Sequence, residues 1–156
     1  MELKKITSKR TEAKIITDLK RIITYDTAKR SNQEEAMKAF ERLNVSVSEQ
    51  VKRFYFNFAG PFECHALGSL KLLDIVDDDP NIESITKICR EQLKFPNQYL
   101  VVTDYIVGEV TVLDTLSNKL YTVCIECGED KDLLKGNLKP DWQSFDEFLK
   151  DYFGLC

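Results

Sequence analysis

The stretch QYLVVTDYIVGEVTVLDTLSNKLYTV, residues 98–123, decides the fold of this 156-residue chain. It carries β-rich runs at 99–103 and 105–114 and the start of a third at 119–126. Only residues 115–118 separate the last two runs, which is too short for a parallel crossover and predicts an antiparallel hairpin. The stretch therefore predicts an antiparallel β-meander.

Helices are predicted upstream of this meander, where apolar residues recur at helical spacing. The first helix is expected over about 11–24. In a capping box, a Ser side chain accepts a hydrogen bond from the backbone amide of a Glu three residues later. The Glu side chain accepts one from the backbone amide of the Ser. Such boxes start at Ser31, opening a second helix through Leu43, and at Ser46, opening a third that Gly60 ends.

The remaining segments complete an α+β pattern. GSLKLLDIV at 68–76 predicts a further strand, and Asp79 is predicted to cap a helix that starts at Pro80. A capping box at Ser144 opens the last helix. We therefore expect one domain over 1–156, with an antiparallel sheet covered by helices.

Charge is unevenly distributed along the chain, which has a net charge of −4. Residues 1–30 hold nine bases and four acids, a net +5, whereas residues 63–132 hold fourteen acids and six bases, a net −8. The overall acidity argues against direct nucleic-acid binding, whereas segments of opposite charge are typical either of a docking face for a basic partner or of a solvated surface. The predicted partner-binding face combines two acidic runs, whose alternative is a solvated surface: Asp77, Asp78 and Asp79, and Glu126, Glu129, Asp130 and Asp132.

The sequence contains no recognised motif for catalysis or cofactor binding, so it predicts no catalytic residue, metal site or cofactor. Cys124 and Cys127 form a lone CxxC, interpreted as plain strand cysteines because residues i and i+3 of a strand face opposite sides. A metal site shared with Cys64 and His65, or redox use, is the less favoured alternative. Five cysteines without a signal peptide favour free thiols in the cytosol, and no apolar run is long enough to span a membrane.

Three stretches together carry a family pattern: QEEAMKAFERLNVSVSEQVKRFYFNFAGPF (33–62), the meander at 98–123 and SFDEFLKDYF (144–153). They resemble the SUKH superfamily of bacterial toxin-immunity proteins, which includes the yeast Smi/Knr cell-wall regulators, and the first is similar to the family's opening helices. The meander at 98–123 places Gly108, Leu113, Asp114 and Tyr121 on the family's strand pattern, and SFDEFLKDYF (144–153) is like its closing helix. The resemblance covers most of 31–153 and leaves the basic segment 1–30 outside.

This resemblance implies a non-enzymatic cytoplasmic immunity protein that binds a cognate toxin and blocks its active site. A nuclease is a fitting toxin, because its substrate cleft is usually basic. Phe62, Tyr105 and Trp142 are candidate aromatic anchors, for which burial in the core is the favoured alternative. Two other functions stay open: a regulatory scaffold module that uses helix 11–24, and a metal-assisted hydrolase. The sequence leaves the oligomeric state open.

Overall fold

The computed structural model describes residues 14–23, 29–60, 62, 70–77, 79–105 and 108–155. Within these ranges the chain forms six helices and a three-stranded sheet, which confirms the predicted α+β class. No helix in them has the length and apolar character to cross a membrane. The elements are α1 (described over 14–22), α2 (Gln33–Arg42), α3 (Glu49–Asn57), α4 (Ile82–Gln92), β1 (Tyr99–Val101), β2 (Glu109–Asp114), β3 (Leu120–Cys124), α5 (Glu129–Leu134) and α6 (Phe145–Phe153).

The sheet is the predicted meander. Strands β1, β2 and β3 lie side by side in chain order, and each neighbouring pair is antiparallel. Leu113 pairs with Leu120 across the β2–β3 hairpin. In the turn, Asn118 has a φ of 64°, a left-handed conformation that asparagine tolerates better than most residues. This short turn is consistent with the β2–β3 register, in which Leu113 pairs with Leu120.

Both faces of the sheet are buried, because successive strand residues alternate between two apolar clusters. One cluster packs Leu100 and Leu113 against α1, α2, α3 and α6. The other packs Val101 and Val112 against α4 and α5. The sheet is therefore the middle layer of three, which explains why its strands read as apolar runs rather than as a polar–apolar alternation.

The outward amide donors of the edge strands have partners. On β1, the Val101 amide donates to the Thr86 hydroxyl of α4 at 3.0 Å. On β3, the Thr122 amide donates to Asp141 Oδ2 at 2.6 Å. The Cys124 amide donates to a carboxylate of α5 at 3.0 Å. Filled donors leave little of either edge open to pairing with a further strand.

A cluster of aromatic rings joins α3 to α6. The ring centroids of Phe54 and Phe145 lie 5.8 Å apart, and both side chains are buried. The Tyr152 hydroxyl donates to the Phe62 carbonyl at 2.6 Å and accepts from the Leu72 amide at 3.0 Å. The last helix thereby ties two chain segments that lie far from it in sequence.

Two of the predicted helix caps are wrong by one or two residues. Asn32, not Ser31, caps α2 by accepting from a backbone amide at 3.0 Å. Ser48, not Ser46, caps α3. The Ser144 cap of α6 is confirmed. Asn and Ser are nearly equal as N-caps, so neighbouring polar residues compete and packing of the helix decides between them.

The segment before α4 differs from its prediction at two points. The described part of the predicted strand 68–76 forms no strand; Leu72 makes single bridges with Phe62 and Thr103. The predicted cap Asp79 is also wrong, because Asn81 caps α4. Its side chain accepts from the Ser84 amide at 2.8 Å, while the Ser84 hydroxyl accepts from the Asn81 amide at 3.0 Å.

Candidate functional site

The first predicted acidic run follows a buried ion pair. The Asp74 and Arg30 side chains are 1% and 2% exposed, and an Arg30 guanidinium N–H donates to Asp74 Oδ1. The other oxygen of Asp74 accepts from the amides of Val76 at 3.1 Å and Asp77 at 2.8 Å. These charge-assisted hydrogen bonds hold the backbone that presents the run. The sequence indicated this ion pair only weakly, because Asp74 lies in an apolar stretch.

The run itself is exposed where the structure describes it. Asp77 and Asp79 are both exposed, and Asp78 lies outside the described residues. Asp77 Oδ2 lies 3.7 Å from Arg30 Nη1, which partly offsets its charge. Asp77 and Asp79 are therefore the two carboxylates of this run that the structure shows facing solvent.

Three of the four residues of the second acidic run lie on α5, a helix that the sequence patterns did not predict, and Glu126 lies in the turn before it. Gly128, with a φ of 80°, precedes the helix as its N-cap residue. Glu129 Oε1 accepts from the Cys124 amide at 3.0 Å, and Asp130 is 8% exposed. Asp132 is exposed. Glu129 thus covers the β3 edge, Asp130 packs inward, and Asp132 is free to face a partner.

Glu126 is exposed but lies tightly over Gly108. Gly108 has a φ of 75°, and a Cβ there would lie 2.6 Å from Glu126 Cδ.

Among the three aromatic candidates, Tyr105 is 46% exposed, whereas Phe62 and Trp142 are 0% and 7% exposed. The core interpretation is therefore confirmed for Phe62 and Trp142, and Tyr105 is the exposed aromatic of the set.

Only part of the two predicted acidic runs is exposed among the described residues. We call its exposed described carboxylates, Asp77, Asp79, Glu126 and Asp132, the exposed acidic set. Residues 126–135 hold four acids but also Lys131 and Lys135, both exposed, so their net charge is −2. Different contacts position the two halves: an ion pair with Arg30 fixes the first, and the β3–α5 turn fixes the second.

The expectation of plain strand cysteines with free thiols is wrong for Cys124 and Cys127, which form a disulfide. Strand β3 ends at Cys124, and the chain then turns through 125–128, so the alternation of strand side chains no longer applies. Cys89 is a free, buried cysteine. Cys64 and His65 lie outside the described residues, and sulfurs paired in a disulfide are not available as thiolate ligands.

Perturbed ionisable groups among the described residues serve the fold. The Arg42 guanidinium donates to both oxygens of Glu83, at 2.7 and 2.8 Å, and lowers the pKa of that carboxyl. Burial raises the pKa of the Cys89 thiol to about 11 and the pKa of Tyr55 well above its usual value. In the described part of the chain, no three His, Cys, Asp or Glu side chains converge to hold a metal ion.

The basic helix α1 is part of the core rather than an appended arm. Ile15, Leu19 and Ile23 are at most 8% exposed and belong to the larger apolar cluster. Lys14, Lys20 and Arg21 of the same helix are exposed. Beside α1 lies an open crevice of about 330 Å³, lined by Lys14, Asp18, Arg21, Ile22, Gly154 and Leu155.

Comparison with known proteins adds no relative: no protein-family model matches the chain, and no curated protein matches it at a significant level. The resemblance to the SUKH superfamily accordingly rests on the three sequence motifs. In the structure these motifs form α2 with α3, the β-meander, and α6.

Proposed function

We propose that the protein is a non-enzymatic immunity protein of the SUKH type, which binds a cognate toxin in the cytoplasm and occludes its active site. The toxin class that best fits the charge pattern is a nuclease. The motif order over 31–153 supports the family assignment. The observation that carries the binding surface is the exposed acidic set, presented from backbone that buried contacts hold in place.

Electrostatics explains how such a surface would act. A nuclease cleft is basic because it binds a polyphosphate, so exposed carboxylates accelerate association and compete with the substrate for the same charges. Tyr105, at 46% exposure, offers the aromatic contact area that interface hot spots use. Carboxylates would thus supply steering, and the tyrosine would supply contact energy.

Co-expression with the toxin encoded beside this chain tests the function. We expect growth to be rescued and a complex to be recovered by pull-down. Loss of both results would contradict the proposal.

The contact surface is tested separately by Glu126→Lys with Asp132→Lys, which should slow association about tenfold or more at low salt. The matched control is Glu41→Lys with Glu91→Lys, since both residues are exposed acids on other helices. Equal effects of the two pairs would exclude the acidic surface.

A second candidate function is a regulatory scaffold module that binds an acidic partner through α1. The favouring observation is that Lys14, Lys20 and Arg21 are all exposed beside Ile22, which is 44% exposed. Removing residues 1–30 is a poor test, because it also removes core side chains of α1. Lys14→Glu with Lys20→Glu tests the surface without that damage. Lys38→Glu on α2 is the control, and unchanged partner binding in the double variant would exclude this function.

A further inference from the structure

The Cys124–Cys127 disulfide closes the turn that carries Glu126 of the exposed acidic set, but the proposed toxin binding does not itself require the S–S bond. It closes a ring of four residues at the junction of β3 and α5, with a Cα–Cα distance of 5.3 Å. Cys127 is exposed and Cys124 is half-buried. One sulfur-bearing residue is therefore open to an external thiol while the other is shielded.

The fold around this turn has other restraints. The Ile125 amide donates to the Gly108 carbonyl at 2.8 Å, and the Gly128 amide donates to the Ile125 carbonyl at 3.1 Å. The Cys124 amide donates to Glu129 Oε1 of α5 at 3.0 Å. A four-residue ring also removes little chain entropy compared with the long loops that structural disulfides close. The turn can therefore persist when the disulfide is opened.

The local hydrogen bonding favours cleavage in one direction. The Cys127 amide donates to Cys124 Sγ at 3.2 Å. A hydrogen bond to sulfur stabilises the thiolate, which is the form released when a disulfide is cleaved. Cys124 Sγ is thus prepared as the leaving group, and Cys127 Sγ is the sulfur of the exposed residue that a thiolate can reach.

We propose that Cys124–Cys127 is a thiol–disulfide exchange site that a dithiol reductant opens by attack on Cys127. The exchange chemistry does not require toxin binding, but its reducing setting rests on the cytoplasmic location proposed above. Disulfides in the cytosol are usually transient and serve redox sensing or catalysis, which fits a reversible site in a chain proposed to act there.

The exchange balances in two steps. A reductant thiolate attacks Cys127 Sγ, the S–S bond breaks, and the electron pair leaves on Cys124 Sγ. The second thiolate of the reductant then attacks the first reductant sulfur, which is bonded to Cys127 Sγ in the mixed disulfide, and releases the Cys127 thiolate. The two protein thiolates take up the two protons that the dithiol has lost. The protein disulfide is reduced to two thiols, and the dithiol is oxidised to a disulfide.

The attacked sulfur can be identified in the full-length oxidised protein. Reduced glutathione is the probe, reaction is stopped by acid and alkylation, and the tryptic peptide 120–131 is sequenced by mass spectrometry. We expect glutathione on Cys127 and the alkyl group on Cys124. Glutathione on Cys124 in place of Cys127 would overturn the proposal.

Reduction kinetics distinguish an exchange site from a structural crosslink. With dithiothreitol, we expect the folded protein to be reduced no slower than about one tenth of the rate in urea, and to keep cooperative unfolding afterwards. Slower reduction, or loss of the cooperative transition, would contradict the proposal. Cys89→Ala is the matched control and should leave the rate unchanged, because Cys89 is buried and unpaired.

Discussion

Asp74→Asn removes one charge of the buried ion pair and keeps the size of the side chain. Arg30, whose side chain is 2% exposed, then keeps its charge in the interior. Breaking a buried pair from one side costs roughly 3–5 kcal/mol of unfolding free energy. An amide NH₂ would also face the Val76 and Asp77 amides in place of the acceptor Oδ2, at about 1 kcal/mol for each lost bond. The Asp77 carboxylate, 3.7 Å from Arg30 Nη1, offsets part of this loss. We expect a total of about 4 kcal/mol.

Urea unfolding followed by circular dichroism measures this loss. Asp79→Asn, an exposed acid close by in the same segment, is the control and should change stability by less than about 0.5 kcal/mol. Arg30→Met combined with Asp74→Asn should lose less than the sum of the two single variants, because neither then leaves a buried charge unpaired. A loss below about 1 kcal/mol for Asp74→Asn would refute the reasoning, since the pair would then be solvated.

Three further outcomes follow from other contacts. Thr86→Val should cost about 1–3 kcal/mol in urea unfolding, because it leaves the buried Val101 amide without an acceptor; Thr86→Ser should cost less than half of that. Glu83→Gln should destabilise the protein at pH 7. Because the folded-state pKa of Glu83 is lowered, this difference should vanish as the pH falls through that pKa, and a difference independent of pH would contradict the ion-pair assignment. Native Cys89, with its pKa near 11, should resist iodoacetamide at pH 8 and react only after unfolding; rapid labelling of the folded protein would contradict its burial.

Much of the fold could be predicted from local patterns. The buried stripes of α3 and α6 follow apolar spacing, and the meander follows from β-rich runs joined by a short gap. Both patterns depend on residues close together in the chain. The N-cap residues were harder, because several adjacent polar side chains satisfy the same amides and the packed helix selects one of them.

The candidate site was predicted less completely. Sequence identified the two acidic runs but not the burial of Asp130 or the edge-covering role of Glu129. It also treated 119–126 as one strand. Because the chain turns after Cys124, the alternation that separated Cys124 from Cys127 ends there, and the two sulfurs meet. A turn of this kind depends on α5 packing against β3, which no local pattern reports.

The sequence by itself determined the α+β class, the antiparallel hairpin and the uneven distribution of charge. These properties are set by residues a few positions apart, where side-chain periodicity and turn length act directly. Only the tertiary structure decided which carboxylates face solvent, that Asp74 pairs with Arg30 across 44 residues, and that two cysteines join. Burial and long-range contacts arise when distant segments pack together. An aspartate or glutamate therefore accepts hydrogen bonds from backbone amides at one position and is exposed to solvent at another.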